Sequence, residues 1–464
     1  MGIIIRSLIA IIVLIVSTVL FHFAADSLKI KRLNMISTIY YFILVFSLIG
    51  GSLVFIGLRK HYLIQKITQQ STINKTYFFL AYCVIVFPLV LIIMKKIINK
   101  FFQPKSMGDY ISGGINYNSN MVQIQGFVVI LMAVCTLATA YVFMNLGYIP
   151  FLSIIKGDDL NVLRQSGSRF FQGNQYIKNL FMTTLTPFVS YLTYIYFRFT
   201  HSKKWALMFI YMALLSVVVL TYDFSKSPII TYLLGLYLLE VMIGNINSNK
   251  WFSRLVIAAA VLILFFYLVM MNTGSSIFSI YTGPVGRILF TQIATLFLHI
   301  DAFPANHAFL DGASFNSWMS FFIPLADGTR SGRVVMTIYN SRGVQDGTAG
   351  VMNTIFIGES YANFGTIGAL IAPVIFGIII GLFAYLLPNL KKTPASILLY
   401  AQFTLLFVTI VEGGFVDIFY TASSVFVIAI TFFIYFITGM SDQKYNTKLS
   451  KLRFFYRKRV TTKK

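Results

Sequence analysis

Three arginines lie close together in one stretch of this sequence, ADGTRSGRVVMTIYNSRG. Arg330, Arg333 and Arg342 fall within thirteen positions, and each has a glycine within two positions of it. The guanidinium group is a planar fork of donors that matches phosphate oxygens in pairs, and glycine lets a backbone approach an anion closely. The pattern fits a polyanionic ligand such as pyrophosphate. The alternative is that the arginines are solvated or paired with Asp327 and Asp346.

One acid, Glu359, lies in an otherwise apolar stretch, MNTIFIGESYANFGTIG. Little water reaches a carboxylate in such surroundings, which suits a general base or acid. The alternative is that Glu359 is the ion-pair partner of one of the arginines.

An earlier polar segment, GDDLNVLRQSGSRFFQGNQ, repeats this chemistry with Arg164 and Arg169. Asp158 and Asp159 precede them, and paired acids can hold a divalent metal together with a diphosphate. Two acids are too few to define such a site, so we predict no metal and no cofactor. The remaining candidates are ionisable groups of loops and span ends: His307 as a proton carrier, Lys226, Asp223, Glu412 and Asp417.

The composition indicates which kind of secondary structure positions these groups. Hydrophobic residues make up 57% of the 464-residue chain and charged residues 11%, with a mean hydropathy of +0.78. Soluble domains carry about 25% charged residues, so lipid must replace water around most of this chain. Apolar runs such as VIAAAVLILFFYLVMM (256–271) do not alternate as barrel strands do. The sequence therefore predicts an all-α polytopic membrane protein.

Charge and motifs argue against several other function classes. The net charge is +23, but the basic residues lie mainly in loops, where they set topology and meet anionic lipid, so no nucleic-acid partner is predicted. Cys83 and Cys135 lie in apolar runs and make neither a disulfide framework nor a Cys-based metal site. The sequence contains no P-loop, His-Glu-x-x-His or Gly-x-Ser-x-Gly motif.

Eleven membrane spans are predicted, within a range of ten to twelve. They lie at 3–22, 36–57, 76–95, 122–145, 178–197, 205–222, 228–245, 253–271, 363–387, 395–411 and 419–438. This divides the chain into an N-terminal bundle of about eight helices (1–271), a large outward loop (272–362), three C-terminal helices (363–438) and a basic tail (439–464).

The orientation of the spans follows from loop charge. Positive residues favour the cytoplasmic side, so the basic tail puts the C-terminus in the cytoplasm. One loop disagrees, because Arg59, Lys60, Lys66 and Lys75 would then face outward.

The outward loop holds two apolar pieces, RILFTQIATLFLHI (287–300) and SWMSFFIPL (317–325). Neither is long and clean enough for a span, and both are expected in the membrane interface with their aromatic side chains at headgroup depth. In the span that follows, small residues predict a face for close helix packing. These residues are Gly365, Gly368, Gly377 and Gly381.

The residues 315–387 carry a family resemblance. FNSWMSFFIPLADGTRSGR is followed by GTAGVMNTIFIGESYANFGTIGALIAPVIFGIIIG, which matches a loop phrase F-I-P…R and a span entry G…E…Y…N-x-G-x-x-G. The arrangement resembles the bacterial oligosaccharide repeat-unit polymerases, the Wzy-type polymerases of O-antigen, capsule and related glycans. RFFQGNQYIKNLFMTTLTPF and TYDFSKSPIITYLLG are weaker similarities, and in the latter Lys226 replaces an arginine of many members.

The resemblance implies a glycosyltransferase on the outer face of a bacterial cytoplasmic (inner) membrane, with the membrane glycosyltransferase fold shared with O-antigen ligases. Its substrates would be undecaprenyl-pyrophosphate-linked oligosaccharides, and it would need no metal. Its partners would be membrane lipid, a flippase and a chain-length regulator. The product would be the glycan of a lipopolysaccharide, a capsule or an exopolysaccharide.

The resemblance also implies roles for the candidate residues. Some members have an arginine and a glycine sixteen positions apart in each of two outward loops; Arg342 and Gly358 match this spacing, whereas neither arginine of the earlier loop does. The expected pyrophosphate ligands are Arg330, Arg333 and Arg342, joined by Arg164 or Arg169, and the expected catalytic residues are Glu359, as base for the acceptor hydroxyl, and Arg342.

Three other readings stay open. An O-antigen ligase uses the same donor with a lipid A-core acceptor. A flippase of lipid-linked oligosaccharides usually has more spans, often an internal repeat, and charges that line a central cavity. A non-enzymatic scaffold would not need clustered loop arginines.

Overall fold

The computed structural model describes residues 2–102, 105–115, 121–149, 170–225, 227–244, 279–416 and 421–436, and single positions between 152 and 167 and at 254, 257 and 261. Every regular element in this part of the chain is a helix. Most of the predicted span 253–271 and the basic tail 439–464 lie outside the described residues.

The helices are numbered in chain order. They are α1 (Ile3–Ala25), α2 (Met35–Ile56), α3 (Gln70–Phe102), α4 (Met107–Ser112), α5 (Met121–Leu146), α6 (Ile177–Thr184 continuing as Leu185–Thr200), α7 (Lys203–Leu220), α8 (Ser227–Ile243), α9 (Gly283–Gly286, Arg287–Thr291 and Gln292–Ala302 in succession), α10 (Ser331–Tyr339), α11 (Ser341–Gln345), α12 (Phe356–Leu386), α13 (Pro394–Gly413) and α14 (Ala422–Phe436). Turns of 3₁₀ helix lie at Ile30–Arg32, Ile64–Lys66, Ser317–Phe321 and Leu387–Asn389.

Seven of the described helices are long and apolar enough to cross a membrane: α1, α2, α3, α5, α7, α12 and α13. α8 and α14 are shorter apolar helices. The prediction of an all-α polytopic membrane protein is confirmed at this level, because each crossing needs roughly 20 apolar residues in a helix. The count of eleven spans stays a prediction.

The chain divides into two compact units. Unit 1 comprises Met1–Asp109, Leu264–Asn389 and Phe403–Thr421, and unit 2 comprises Tyr110–Ile263, Leu390–Gln402 and Ala422–Lys464. The borders of these units differ from the predicted division at 271, 362 and 438, because helices distant in sequence pack together.

One end of unit 1 gathers the C-terminal ends of three helices. Tyr385 near the end of α12 donates a hydrogen bond to the carbonyl oxygen of Ala24 in α1 (2.9 Å). Lys95 of α3 forms an ion pair with Asp26, which follows α1. The ends of α1, α3 and α12 therefore lie side by side.

The opposite end of unit 1 carries the segment 303–355 and is called the loop-bearing end. Thr72 at the start of α3 donates to Asp301 (3.1 Å), and Lys66 donates to the carbonyl oxygen of Tyr339. The loop between α2 and α3, whose charges opposed the predicted topology, therefore lies at the same end as the large loop. The predicted span order puts it there as well.

α9 is buried inside unit 1. In its second half, Ile293–Ile300 and Ala302 are buried, including the aromatic ring of Phe297, which contradicts the interfacial position predicted for 287–300. Thr291 contacts His61 (3.3 Å), and Asp301 accepts from Thr72. Both partners belong to the loop-bearing end, so α9 stays at that end, and the irregular part of the outward loop begins after α9.

α12 contains a break. Phe364 has φ −125° and ψ 17°, and Gly365 has φ 61° and ψ −147°, a conformation that is almost restricted to glycine. The carbonyl oxygen of Ala362, at the break, accepts a hydrogen bond from the backbone N–H of Leu310 (3.0 Å). Gly365 is therefore required for the backbone conformation, a role that the predicted packing face did not include.

Beyond the break, α12 packs closely on α3. A Cβ atom at Gly377 would lie 2.8 Å from Val90, and one at Gly381 would lie 2.9 Å from Met94. The predicted packing face is therefore confirmed for Gly377 and Gly381. Gly368 instead belongs to the break, since a Cβ there would lie 2.2 Å from the Ser360 carbonyl oxygen.

Unit 2 is held by a buried polar link between α6 and α8. Arg198 donates from Nε to Oε2 of Glu240 (3.0 Å) and from Nη2 to Oε1 (2.6 Å). The hydroxyl of Tyr194 donates to the same Oε2 (2.6 Å). A carboxylate bound by a bidentate guanidinium and a hydroxyl is fully partnered, which is what a buried charge requires.

Candidate anion-binding site

A small cleft opens at the loop-bearing end of unit 1. The described residues that line it are Arg330, Ser331, Gly332, Asn353, Thr354, Glu359 and Gly413. The ≈ 220 Å³ of space between these residues includes open solvent.

The N-terminus of α10 forms one wall of the cleft. Arg330 precedes the helix in an extended conformation, and Ser331 and Gly332 begin it. The first N–H groups of a helix have no acceptor within the helix, and together with the helix dipole they favour an anion. A Cβ atom at Gly332 would lie 2.6 Å from the Met352 carbonyl oxygen, so glycine allows this close approach.

A closed turn delivers Arg330 to this wall. The N–H groups of Asp327, Gly328 and Thr329 all donate to the carbonyl oxygen of Ala313 (3.2, 3.0 and 3.1 Å). The Asp327 carboxylate accepts from the N–H of Thr329 (2.8 Å), and hydrogen bonds from the side chain and backbone of Thr329 lower the pKa of Asp327. Asp327 therefore builds the turn.

Thr354 contributes a buried hydroxyl with no partner. The residue is 2% exposed, and within the described part of the chain its Oγ1 has no hydrogen bond. Leaving such a hydroxyl unpaired costs about 1–3 kcal/mol, and its persistence calls for an explanation. A ligand oxygen in the cleft would supply the missing partner.

Glu359 is buried at the back of the cleft, with 6% of its surface exposed. Its Oε2 accepts hydrogen bonds from the backbone N–H groups of Phe415 (2.6 Å) and Val416 (3.1 Å). The carboxylate thus holds the backbone that follows α13, a role that the sequence did not predict. Its predicted role as a base stays a prediction.

His299 lies behind Ser331, and sequence reasoning missed it. Its Nδ1 lies 2.7 Å from the Thr295 carbonyl oxygen, and its Nε2 lies 3.3 Å from Ser331 Oγ. A carbonyl only accepts, so Nδ1 carries the hydrogen and Nε2 accepts from the serine hydroxyl. Burial lowers the pKa of His299 to about 4, so the ring is neutral at neutral pH. A histidine inside an apolar run was the available signal.

The three clustered arginines have different positions. Of them, Arg330 lines the cleft. Arg333 reaches the carbonyl oxygens of Ala349 (3.4 Å) and Gly350 (3.2 Å), where it ties α10 to the segment that follows α11. Arg342 is exposed on α11. The three arginines are close in sequence, but Arg330 precedes α10, Arg333 lies on α10 and Arg342 lies on α11.

The other candidates are not among the described residues that line the cleft, or they lie outside the described residues. His307 is exposed, with Nδ1 against the Ala308 carbonyl oxygen (2.7 Å), and Asp223 accepts from Ser225 (2.9 and 3.0 Å). Arg164 is exposed in unit 2. Outside the described residues lie Asp158, Asp159, Arg169, Lys226 and Asp417, as well as the side chain of Glu412.

The sequence reasoning also missed a polar network at the other end of α10. Asp301 accepts from the hydroxyl of Tyr339 (2.6 Å) and from Thr72 (3.1 Å). Burial, followed by this contact with Asp301, raises the pKa of Tyr339. The network ties α10 to α9 and α3. No local pattern could reveal it, because Thr72 and Asp301 are 229 positions apart.

No protein-family model, no curated protein and no solved structure matches this chain. Within the described ranges, no three His, Cys, Asp or Glu side chains are grouped so that they could hold a metal ion. The case for a function therefore rests on the chemistry of the cleft and on the sequence resemblance.

Proposed function

We propose that this protein is a membrane glycosyltransferase that joins undecaprenyl-pyrophosphate-linked oligosaccharide repeat units into a surface polysaccharide. One observation carries the proposal. Arg330, the first residues of α10 and Thr354, whose hydroxyl has no hydrogen bond within the described part of the chain, line one cleft at the loop-bearing end. All three features suit phosphate oxygens.

The proposed reaction is a glycosyl transfer with a lipid pyrophosphate as leaving group. A hydroxyl at the non-reducing end of one repeat unit attacks the anomeric carbon of the growing chain. The bond from that carbon to the pyrophosphate oxygen breaks, and the oxygen leaves with the electron pair. The hydroxyl proton passes to a base, and the glycan is transferred as one block.

The cleft would act mainly on the leaving group. Negative charge grows on the pyrophosphate oxygen as its bond to carbon breaks. Donors already oriented towards that charge stabilise the transition state, and removing one such donor typically lowers kcat by about 10²–10³-fold. Arg330 and the first N–H groups of α10 would fill this role without a metal ion or other cofactor.

The remaining predicted residues take graded roles in the proposal. Glu359, which lines the cleft, would receive the proton of the acceptor hydroxyl. Arg342 is exposed on α11 and is not among the described residues that line the cleft, so it ranks below Arg330. Arg164 and Arg169 stay candidates for a second contact with substrate.

The location and partners belong to the same proposal. The loop-bearing end would face outward from a bacterial cytoplasmic membrane, with the C-terminus in the cytoplasm. Substrate would come from a flippase, and product length would be set by a chain-length regulator. An O-antigen ligase would use the same cleft with another acceptor, whereas a flippase would place its charges along a passage between the two membrane faces.

Reconstitution tests the proposal. Purified full-length protein in proteoliposomes would receive lipid-pyrophosphate repeat units, and the products would be separated on a gel. We expect a ladder of glycan lengths. A single product that needs a lipid A-core acceptor would instead indicate a ligase. Absence of a ladder, under conditions where a known polymerase makes one, would refute the proposal.

Two arginine variants locate the site within that assay. Arg330→Ala should abolish the ladder, and Arg330→Lys should restore part of it, because lysine keeps the charge but loses the fork. Arg342→Ala, from the same loop, is the comparison, and we expect a smaller loss because Arg342 is not among the described residues that line the cleft. Loss in Arg342→Ala with a normal ladder in Arg330→Ala would place the reaction away from the cleft.

A further inference from the structure

The loop directly before Arg330 presents large apolar side chains at its surface. Trp318 is 63% exposed, Phe321 87%, Phe322 75% and Leu325 58%. The sequence from 312 to 326 contains no charged residue. An exposed cluster of this kind marks a surface that meets another apolar phase.

The loop is a built structure. Its base is closed by backbone hydrogen bonds from 327–329 to Ala313, and Gly328 also donates to the Phe315 carbonyl oxygen (2.8 Å). Its tip contains the 3₁₀ turn Ser317–Phe321. Ile323 packs over Gly312, where a Cβ atom would lie 2.5 Å from the isoleucine. The aromatic residues are therefore held outward by a closed backbone.

The loop continues an exposed apolar face of α12. The residues Ile367, Ile371, Ile375, Ile378 and Leu382 are exposed, and their spacing puts them on one side of the helix. Phe364, at the break of α12, is 44% exposed and lies next to Phe315 of the loop, with ring centroids 6.4 Å apart. An apolar surface thus runs from α12 through Phe364 to the loop.

We propose that residues 316–326 insert into the bilayer that surrounds α12. The occupant of this surface is the interfacial layer of that membrane, where tryptophan and phenylalanine side chains commonly lie. The loop ends four positions before Arg330, so its insertion would fix the cleft at the depth of lipid headgroups. The inference rests on the geometry of the loop and does not depend on the reaction proposed above.

Site-directed spin labelling tests the insertion. Phe321→Cys would be labelled in the full-length protein in nanodiscs of phosphatidylcholine and phosphatidylglycerol, without substrate. The natural cysteines, Cys83 and Cys135, are both buried and should not take the label. Gln345→Cys on the polar helix α11, which is also exposed, is the matched control.

The expected result is a reversal between the two labels. The label at Phe321 should collide with oxygen, which concentrates in lipid, and be shielded from a water-soluble nickel chelate; the label at Gln345 should show the opposite. Equal access of the nickel chelate to both labels would overturn the insertion. Dipolar broadening confined to the Phe321 label would also overturn it, because a second copy of the chain would then cover the patch.

A second label protects the test from a local disturbance at Phe321. Trp318→Cys, on the same turn, should give the same oxygen preference. Both positions are exposed, so neither substitution removes packing from the interior of unit 1. A water-accessible label at Trp318 beside a lipid-accessible label at Phe321 would contradict insertion of the whole turn.

Discussion

The two parts of α12 solve different problems. The entry segment, 353–363, comprises the three residues before α12 and the first part of the helix, and it buries polar groups: Thr354, Glu359 and Asn363 are 2%, 6% and 0% exposed. The continuation, 366–386, exposes an isoleucine face and packs glycines against α3. The break at Gly365 separates them. One apolar stretch therefore contains a polar site and a lipid-facing helix.

Asn363 shows how the break serves the entry segment. Its Nδ2 donates to the Glu359 carbonyl oxygen (2.9 Å) and to Ser314 Oγ (3.1 Å). Irregular backbone at membrane depth is tolerated where the protein covers it, and the 310–314 segment provides that cover. The contrast predicts that substitutions in the entry segment change the stability more than substitutions in the continuation do. Some of them should lower the stability and others should raise it.

Glu359→Ala should give the largest loss of stability. It would leave the N–H groups of Phe415 and Val416 without their acceptor, at about 1–3 kcal/mol for each buried group. Thermal unfolding in detergent would measure the loss. Glu359→Gln keeps an acceptor oxygen, so it should retain most of the stability and, if Glu359 is the base, still lose the glycan ladder. A normal glycan ladder from Glu359→Gln would leave Glu359 only its role of holding the backbone.

Gly365→Ala should come next. The backbone conformation at this position costs a residue with a Cβ atom about 1–3 kcal/mol, and the new atom would lie 3.1 Å from the Phe309 ring. The same thermal assay would show a lower midpoint. Gly57→Ala, also at positive φ but with nothing within 4 Å of its Cβ position, separates strain from crowding. An unchanged midpoint in Gly365→Ala would mean that the break is not maintained.

How far the sequence alone predicts these features depends on the range of the contacts. Hydropathy locates helices because burial in lipid acts on each run separately, and the spacing of Gly377 and Gly381 is enough to predict packing. The burial of α9 could not be predicted from the sequence, because the partners of its polar residues, His61 and Thr72, are more than two hundred positions away. For a related reason, the sequence alone does not rank the clustered arginines. Arg330 precedes α10, and Arg342 lies on α11, so only the fold decides which one reaches the cleft.

Thr354→Val should raise the stability, whereas Glu359→Ala in the same segment lowers it. Valine keeps the shape and removes an unpartnered buried hydroxyl, so stability should rise, by about 1 kcal/mol. Under the proposed function, binding of a phosphate ligand should weaken, because the cleft would lose one hydrogen-bond donor. Lower stability together with unchanged binding would show that Thr354 has another partner.

The smallest effect on stability is expected for a substitution in the continuation of α12. Ile375 is 49% exposed, so Ile375→Ala removes side-chain atoms that contact mainly lipid. Surface substitutions away from special features usually stay within about 0.5 kcal/mol, and the unfolding midpoint should not move appreciably. A large loss would reveal a protein contact on this face and would weaken the contrast between the two parts of α12.

Equilibrium binding of undecaprenyl pyrophosphate tests the central claim most directly. A hydrogen bond to a charged group contributes about 1.5–3 kcal/mol, so Arg330→Ala should weaken binding by roughly 10–100-fold, whereas Arg342→Ala should bind within a few-fold of the unaltered protein. Equal affinity of Arg330→Ala and the unaltered protein, with both correctly folded, would contradict the assignment of the cleft as the pyrophosphate site.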